Sequence, residues 1–119
     1  MARRILLECE FLIPLHRDRI LADGRAHPPE AWVWLRQQLF AFGGGGRYQE
    51  AVEGWYLDPD TDEVVWDTSW RYFVALTPKK VRRLRSMLVE ACHMFAQKCI
   101  YLSIAGHVEF IQGRDNEQS

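Results

Sequence analysis

The most constraining feature of the chain is a change of hydrophobic period at Thr77-Pro78. Before it, Trp70, Tyr72, Val74 and Leu76 alternate with Arg71, Phe73 and Ala75; after it, Val81, Leu84, Leu88, Ala91 and Phe95 recur at spacings of three and four. A period of two marks a strand with one buried face, and a period near 3.6 marks a helix with one apolar stripe. The junction therefore predicts a strand that runs directly into a helix packed back upon it. Thr77 suits the N-cap and Pro78 the first helical position.

The same reading extends in both directions. Ile5, Leu7, Cys9, Phe11 and Ile13 alternate with Glu8 and Glu10, which predicts a first strand between Arg4 and Leu15. A polar stretch over 16–29 carries an Asp23-Gly24 turn signal and ends in Pro28-Pro29, where a helix opens. Pro28, Trp32, Leu35, Leu39 and Phe42 form its stripe, and the glycines from Gly43 to Gly46 stop it. Ala51 to Leu57 and Val64 to Leu76 read as a hairpin across an acidic turn. Ile100, Leu102, Ile104, Val108 and Phe110 alternate with Tyr101, Ser103, His107 and Glu109, which predicts one last strand.

Strand, helix, strand, strand, helix, strand is the ferredoxin-like βαββαβ plan. Right-handed crossovers then give a four-stranded antiparallel sheet of order 4-1-3-2 with two helices on one face. Residues 1–112 form this single domain and 113–119 a polar C-terminal tail. The expected core comprises Ile5, Leu7, Phe11, Leu35, Leu39, Tyr72, Val74, Leu84, Leu88, Ile100 and Ile104.

Composition narrows the partners. Of 119 residues 48% are apolar and 26% charged, enough to form a core and too apolar for wholesale disorder. Fifteen Lys and Arg against sixteen Asp and Glu leave a formal charge of -1, so no global field draws the chain to nucleic acid or an anionic membrane. Glu8 and Glu10 interrupt the apolar N-terminal stretch, against a secretory signal, and no run of about eighteen apolar residues is present. The expectation is a soluble cytoplasmic protein with no membrane partner. Cys9, Cys92 and Cys99 form no C-x-x-C pair, so reduced, structural thiols are expected. Cys92 and His93 are adjacent on a helix and point about 100° apart, so they make no nucleophile–base pair.

Helices on one face leave the other face of the sheet for solvent, a ligand or a second subunit. Arg71, Phe73, Tyr101 and Ser103 are the expected ligand or partner face. Glu8, Glu10, His107 and Glu109 are the candidate acid–base groups, since imidazole and carboxylate can exchange protons near neutral pH. Centring the antiparallel strands predicts an ion pair from Arg71 to Glu8 or Glu10. The plainer reading is a solvated face with cross-strand ion pairs.

The remaining motifs are weaker. The glycine run follows a helix, whereas phosphate-binding glycine loops precede one. Asp58, Asp60 and Asp62 copy the start of a calcium loop, but Glu63 stands where Gly is needed and Ser69 where a bidentate Glu belongs. His16, Asp18, Asp23 and His27 are metal-ligand types in one loop, without spacing that aims two ligands together. No metal and no cofactor are expected. Lys79, Lys80, Arg82, Arg83 and Arg85 crowd the start of the second helix, where the dipole disfavours cations, and form the candidate basic patch.

These readings favour a non-catalytic binding or assembly module that acts as a homodimer, with a further protein partner as an option. Its interface would bury roughly 1,200–2,000 Å². One alternative is a small cofactor-independent enzyme that resembles, in architecture only, the dimeric α+β-barrel oxygenases and isomerases, using His107 and the sheet-face carboxylates. A second alternative is nucleic-acid binding through the basic patch, which the balanced charge disfavours.

Overall fold

The computed structural model describes residues 5–19, 21–42, 45–46, 50–57 and 60–113. Its elements are β1 (Leu7–Pro14), α1 (Pro29–Ala41), β2 (Gly45–Gly46), β3 (Glu50–Leu57), β4 (Val64–Leu76), α2 (Pro78–Met94), β5 (Cys99–Ile104) and β6 (His107–Gln112). All pair antiparallel in one sheet of order β2-β4-β1-β5-β6, with β3 also on β4. The short β2 and the longer β3 lie along the same edge of β4, opposite Val74–Ala75 and Val64–Arg71 respectively. The sheet thus has five strand positions.

The expectation of an α+β chain with two helices and an antiparallel sheet holds. The four-stranded ferredoxin-like sheet of order 4-1-3-2 does not. The difference arises at Ala105 and Gly106, both at positive φ (50° and 87°), the backbone of a two-residue hairpin turn. The stretch expected as one strand folds back on itself into β5 and β6, and β6 becomes a new edge.

Burial follows the alternation. Cys9, Phe11 and Ile13 of β1 are fully buried, and they pair with Ile104 and Leu102 of β5 on one side and with Val74, Tyr72 and Trp70 of β4 on the other. Ala31 and Leu35 of α1, together with Val81, Leu84, Leu88 and Ala91 of α2, close the same cluster, so both helices cover one face. Most of the expected core is buried, but Leu7 and Leu39 are only partly so and Ile5 is 69% exposed. Ile5 precedes Leu7↔Leu76, the first rung of the β1–β4 ladder, and has no strand beneath it.

The ends of α1 and α2 explain much of the basic patch. Thr77 occupies the N-cap of α2 without a side-chain bond, and Pro78 is at the first helical position. The Lys80 ammonium donates to the Phe42 carbonyl, satisfying a group at the C-terminal end of α1 that the helix itself leaves unpaired. The Arg83 guanidinium lies 5.4 Å from the Phe42 ring centroid. The glycine stop lies partly outside the described residues at Gly43 and Gly44.

Beyond β1 the β3–β4 hairpin continues as a two-stranded ribbon. Trp55 lies directly opposite Trp66, with ring centroids 6.5 Å apart, and Leu57 opposite Val64. All four side chains are more than half exposed. Among the described residues no helix is long and apolar enough to cross a membrane.

Candidate functional site

The uncovered face of the sheet carries a charged cluster at its centre. In β1, Glu8, Glu10 and Leu12 point away from the helices and pair with Ala75, Phe73 and Arg71 of β4. Across β1, Glu10 pairs with Ser103 of β5, and across β4, Arg71 pairs with Glu50 of β3. Arg71 therefore sits between two carboxylates. Its Nη1 is 3.6 Å from Glu10 Oε2, and its Nη2 bonds the Glu50 carboxylate. Its guanidinium lies 5.1 Å from the centroid of the Phe73 ring. The three charged side chains are between 26% and 39% exposed, a setting in which charges interact more strongly than on open surface.

The register expected for Arg71 is present with Glu10, while Glu8 lies one pleat away opposite Ala75. Glu50 was not singled out from the sequence. The signal was there: a hairpin whose last rung is Leu57↔Val64 places Glu50 opposite Arg71 by counting back. Tyr101 and Ser103 share the same face and are half-buried, with Tyr101 edge-on to Phe110 at 5.9 Å.

His107 and Glu109 do not join this cluster. Opposite residues in an antiparallel pair share a face, so Ile104↔His107 and Leu102↔Glu109 put both on the helix side. The acid–base grouping of His107 with Glu8 or Glu10 is thereby corrected, because the Ala105-Gly106 turn reverses the face assignment after Ile104. Val108 and Phe110 point to the open face instead. Glu109 accepts from Arg85 of α2 at 2.8 and 3.2 Å in a two-pronged ion pair. With Lys80 and Arg83 on Phe42, three of the five patch cations thus make structural contacts, and Lys79 and Arg82 remain at the surface.

Other candidates resolve structurally. Asp23 forms a bidentate pair with Arg17, which holds its carboxyl below the usual range, and Asp18 accepts from the Leu21 amide. His27 is buried, 4.9 Å from Phe95 and 5.5 Å from Trp32, and its Nε2–H donates to the Pro14 carbonyl at 2.7 Å. Among the described residues no three His, Cys, Asp or Glu side chains gather as a metal site. Asp58 lies outside the described residues. Burial pushes the Cys9 and Cys99 thiols up, which disfavours thiolate, and Cys92 Sγ donates to the Ile111 carbonyl at 3.4 Å. Burial likewise pushes Tyr72 up to about 12, leaving a neutral phenol stacked on Phe11.

No protein-family model and no curated protein matches the chain. Two solved structures share its fold over nearly its whole length. A phage SAM lyase in complex with S-methyl-5′-thioadenosine superposes with a TM-score of 0.68, covering 98% of this chain and 99% of that one at 14% identity. A phage SAM lyase in the apo state gives 0.62, covering 95% of each chain at 15% identity. The expectation of a non-catalytic binding or assembly module is corrected by these matches, since the architecture is one that enzymes use end to end.

Proposed function

We propose that the protein is an enzyme of the SAM lyase type, which holds S-adenosylmethionine against the open face of the sheet and releases S-methyl-5′-thioadenosine. The observation that carries this reading is the fold match, over 98% of the chain, to a lyase bound to that thioadenosine. Local chemistry supports it. The substrate carries a sulfonium and an ammonium, and among the described residues the face offers Glu8, Glu10 and Glu50 against one cation, Arg71. The Tyr101 ring adds a π face for a cation, and Arg71, held between Glu10 and Glu50, fixes the placement of those carboxylates.

The reaction asks little of proton chemistry. When the carbon–sulfur bond breaks, the bonding pair goes to sulfur and neutralises the sulfonium, so the leaving thioether needs no acid. If the substrate's own carboxylate supplies the new carbon–oxygen bond, the second product is a lactone and no proton moves. The residues then act by binding and orienting, which converts attack into an intramolecular displacement.

Incubation with S-adenosylmethionine and chromatography of the products tests this. Release of S-methyl-5′-thioadenosine is expected, with kcat/KM reduced at least about tenfold in Glu10→Gln, the scale of one lost charge-assisted contact. Absence of turnover together with no calorimetric binding of either the substrate or the thioadenosine overturns the reading.

The proposal includes self-association. The half-exposed Trp55, Leu57, Val64 and Trp66 form an apolar ribbon face, and an isolated two-stranded ribbon gains little stability on its own. A second copy covering this ribbon is expected to give a dimer mass by light scattering, and a monomer at micromolar concentration sinks it.

A further inference from the structure

The outer edge of β6 meets no strand among the described residues, since β5 is its sole neighbour. Edge strands are commonly protected by Pro, by Lys or by a covering element. β6, with the sequence HVEFIQ, contains neither Pro nor Lys, its inward charge Glu109 is paired with Arg85, and Val108 and Phe110 are more than half exposed. Beside this edge runs an open groove of about 730 Å³ between β6 and α2, lined by Arg82, Ser86, Val89, Glu90, His93 and Phe110 among others. The α2 residues fall on a single helical stripe.

Charge is distributed along this groove in a definite order. Arg85 bonds Glu109, and Cys92 bonds Ile111, so α2 and β6 run in the same direction. Arg85 is neutralised by Glu109, which leaves Arg82 at the His107 end and Glu90 towards the Gln112 end. Eight helical residues separate Arg82 from Glu90, a rise of about 12 Å. Four residues of an extended strand span about 13 Å, and residues four apart share a face. The two spacings match.

We infer that the β6 edge binds an extended peptide segment of another protein by antiparallel strand addition. Running antiparallel to β6, the segment presents first a cationic side chain to Glu90, then two residues on a small side chain beside Ser86, midway along the helix, and two further on a carboxylate to Arg82. Its backbone pairs with the free edge of β6 and its alternate side chains enter the groove. A second copy paired antiparallel through β6 is disfavoured, because its helix-side residues His107, Glu109 and Ile111 would set Ile111, not a carboxylate, against Arg82.

The probe is a fluorescein-labelled seven-residue threonine peptide with lysine second, valine fourth and glutamate sixth, measured by fluorescence polarisation on the full chain. It is expected to bind, and a peptide with lysine and glutamate exchanged is expected to bind at least about fivefold more weakly, the scale of two partly exposed ion pairs. The double variant Arg82→Glu/Glu90→Lys should reverse that preference. Both changes place charge as the helix dipole favours, and both side chains are exposed, so the variant should fold. Backbone N-methylation of the threonines at the third and fifth positions should abolish binding if the ladder forms. Equal affinity for the two peptides, unchanged preference in the double variant, or indifference to N-methylation each overturns the inference. A dimer held through β6 that excludes the peptide does so too.

Discussion

His27 ties three elements together, and acid should loosen it. Only 7% of the residue is exposed, its Nε2–H donates to the Pro14 carbonyl at the end of β1, and its ring meets Trp32 of α1 and Phe95 at the end of α2 edge-on. Nδ1 has no hydrogen-bond partner, so a proton placed there would be a buried charge facing aromatic rings. Burial accordingly pushes the imidazole below its ordinary 6.5, with Arg17 and His16 nearby acting in the same direction. Because the folded form binds the proton less readily than the unfolded chain, the neutral ring's contribution is complete above pH 6.5. It is lost as pH falls below that value, until the folded imidazole itself titrates. The slope in that window is about 1.4 kcal/mol per pH unit. Urea denaturation at pH 7.5 and 5.5 should therefore show up to about 1.4 kcal/mol less stability at the lower pH from this one group. Half-buried Asp67, whose carboxyl is raised by burial, acts in the opposite sense on acidification, so the informative quantity is the difference between two proteins. His27→Gln should cost about 1–2 kcal/mol at pH 7.5 and should flatten the pH dependence. If it loses as much stability between the two pH values as the parent does, His27 is not the group responsible.

Three further outcomes are expected. Arg71→Met leaves Glu10 and Glu50, on either side of β4, without their shared cation and should cost about 1 kcal/mol, a figure tempered by the one-third exposure of the pairs, with urea denaturation as the measure. A change below about 0.5 kcal/mol would place the cluster with ordinary solvated surface charge. Gly106→Ala finds open space for its Cβ but retains a φ of 87°, so the cost should come from backbone strain alone, about 1–2 kcal/mol by thermal melting. Lys80→Met removes the donor to the Phe42 carbonyl and should accelerate amide exchange in the last turn of α1, with about 1 kcal/mol lost overall.

Periodicity made the elements legible up to Ile104 except β2, whose two glycines carry no pattern and read only as a helix stop. The change at Thr77-Pro78 sits where β4 gives way to α2, and the alternation of β1 predicted which side of it is buried, as Cys9, Phe11 and Ile13 confirm. The error after Ile104 has a specific origin. Ile104 and Val108 are four apart and keep the parity of a single strand, so a two-residue turn between them is invisible to a pattern of period two. Ala105 also lacks the usual Asn or Asp of such a turn. Only pairing geometry shows that parity inverts across the turn, and that inversion moved His107 and Glu109 off the candidate site. Glu50 was missed for the complementary reason, since its neighbours give little alternation and its position follows from hairpin register rather than from pattern.

The β5–β6 turn also separates two kinds of chemistry that the sequence presents as one. Along the chain, Tyr101, Ser103, His107 and Glu109 look like a continuous polar face. In the fold, Tyr101 and Ser103 join Glu10 and Arg71 on the open face, while Glu109 is spent on Arg85 beneath the opposite one. Among the described residues the open face is left with carboxylates, one guanidinium and aromatic rings, and with no imidazole from β6. That inventory suits recognition of a cation whose reaction needs no proton transfer better than it suits general acid–base work. The correction of the face is thus also the physical reason for preferring a sulfonium substrate over the acid–base chemistry that His107 had suggested.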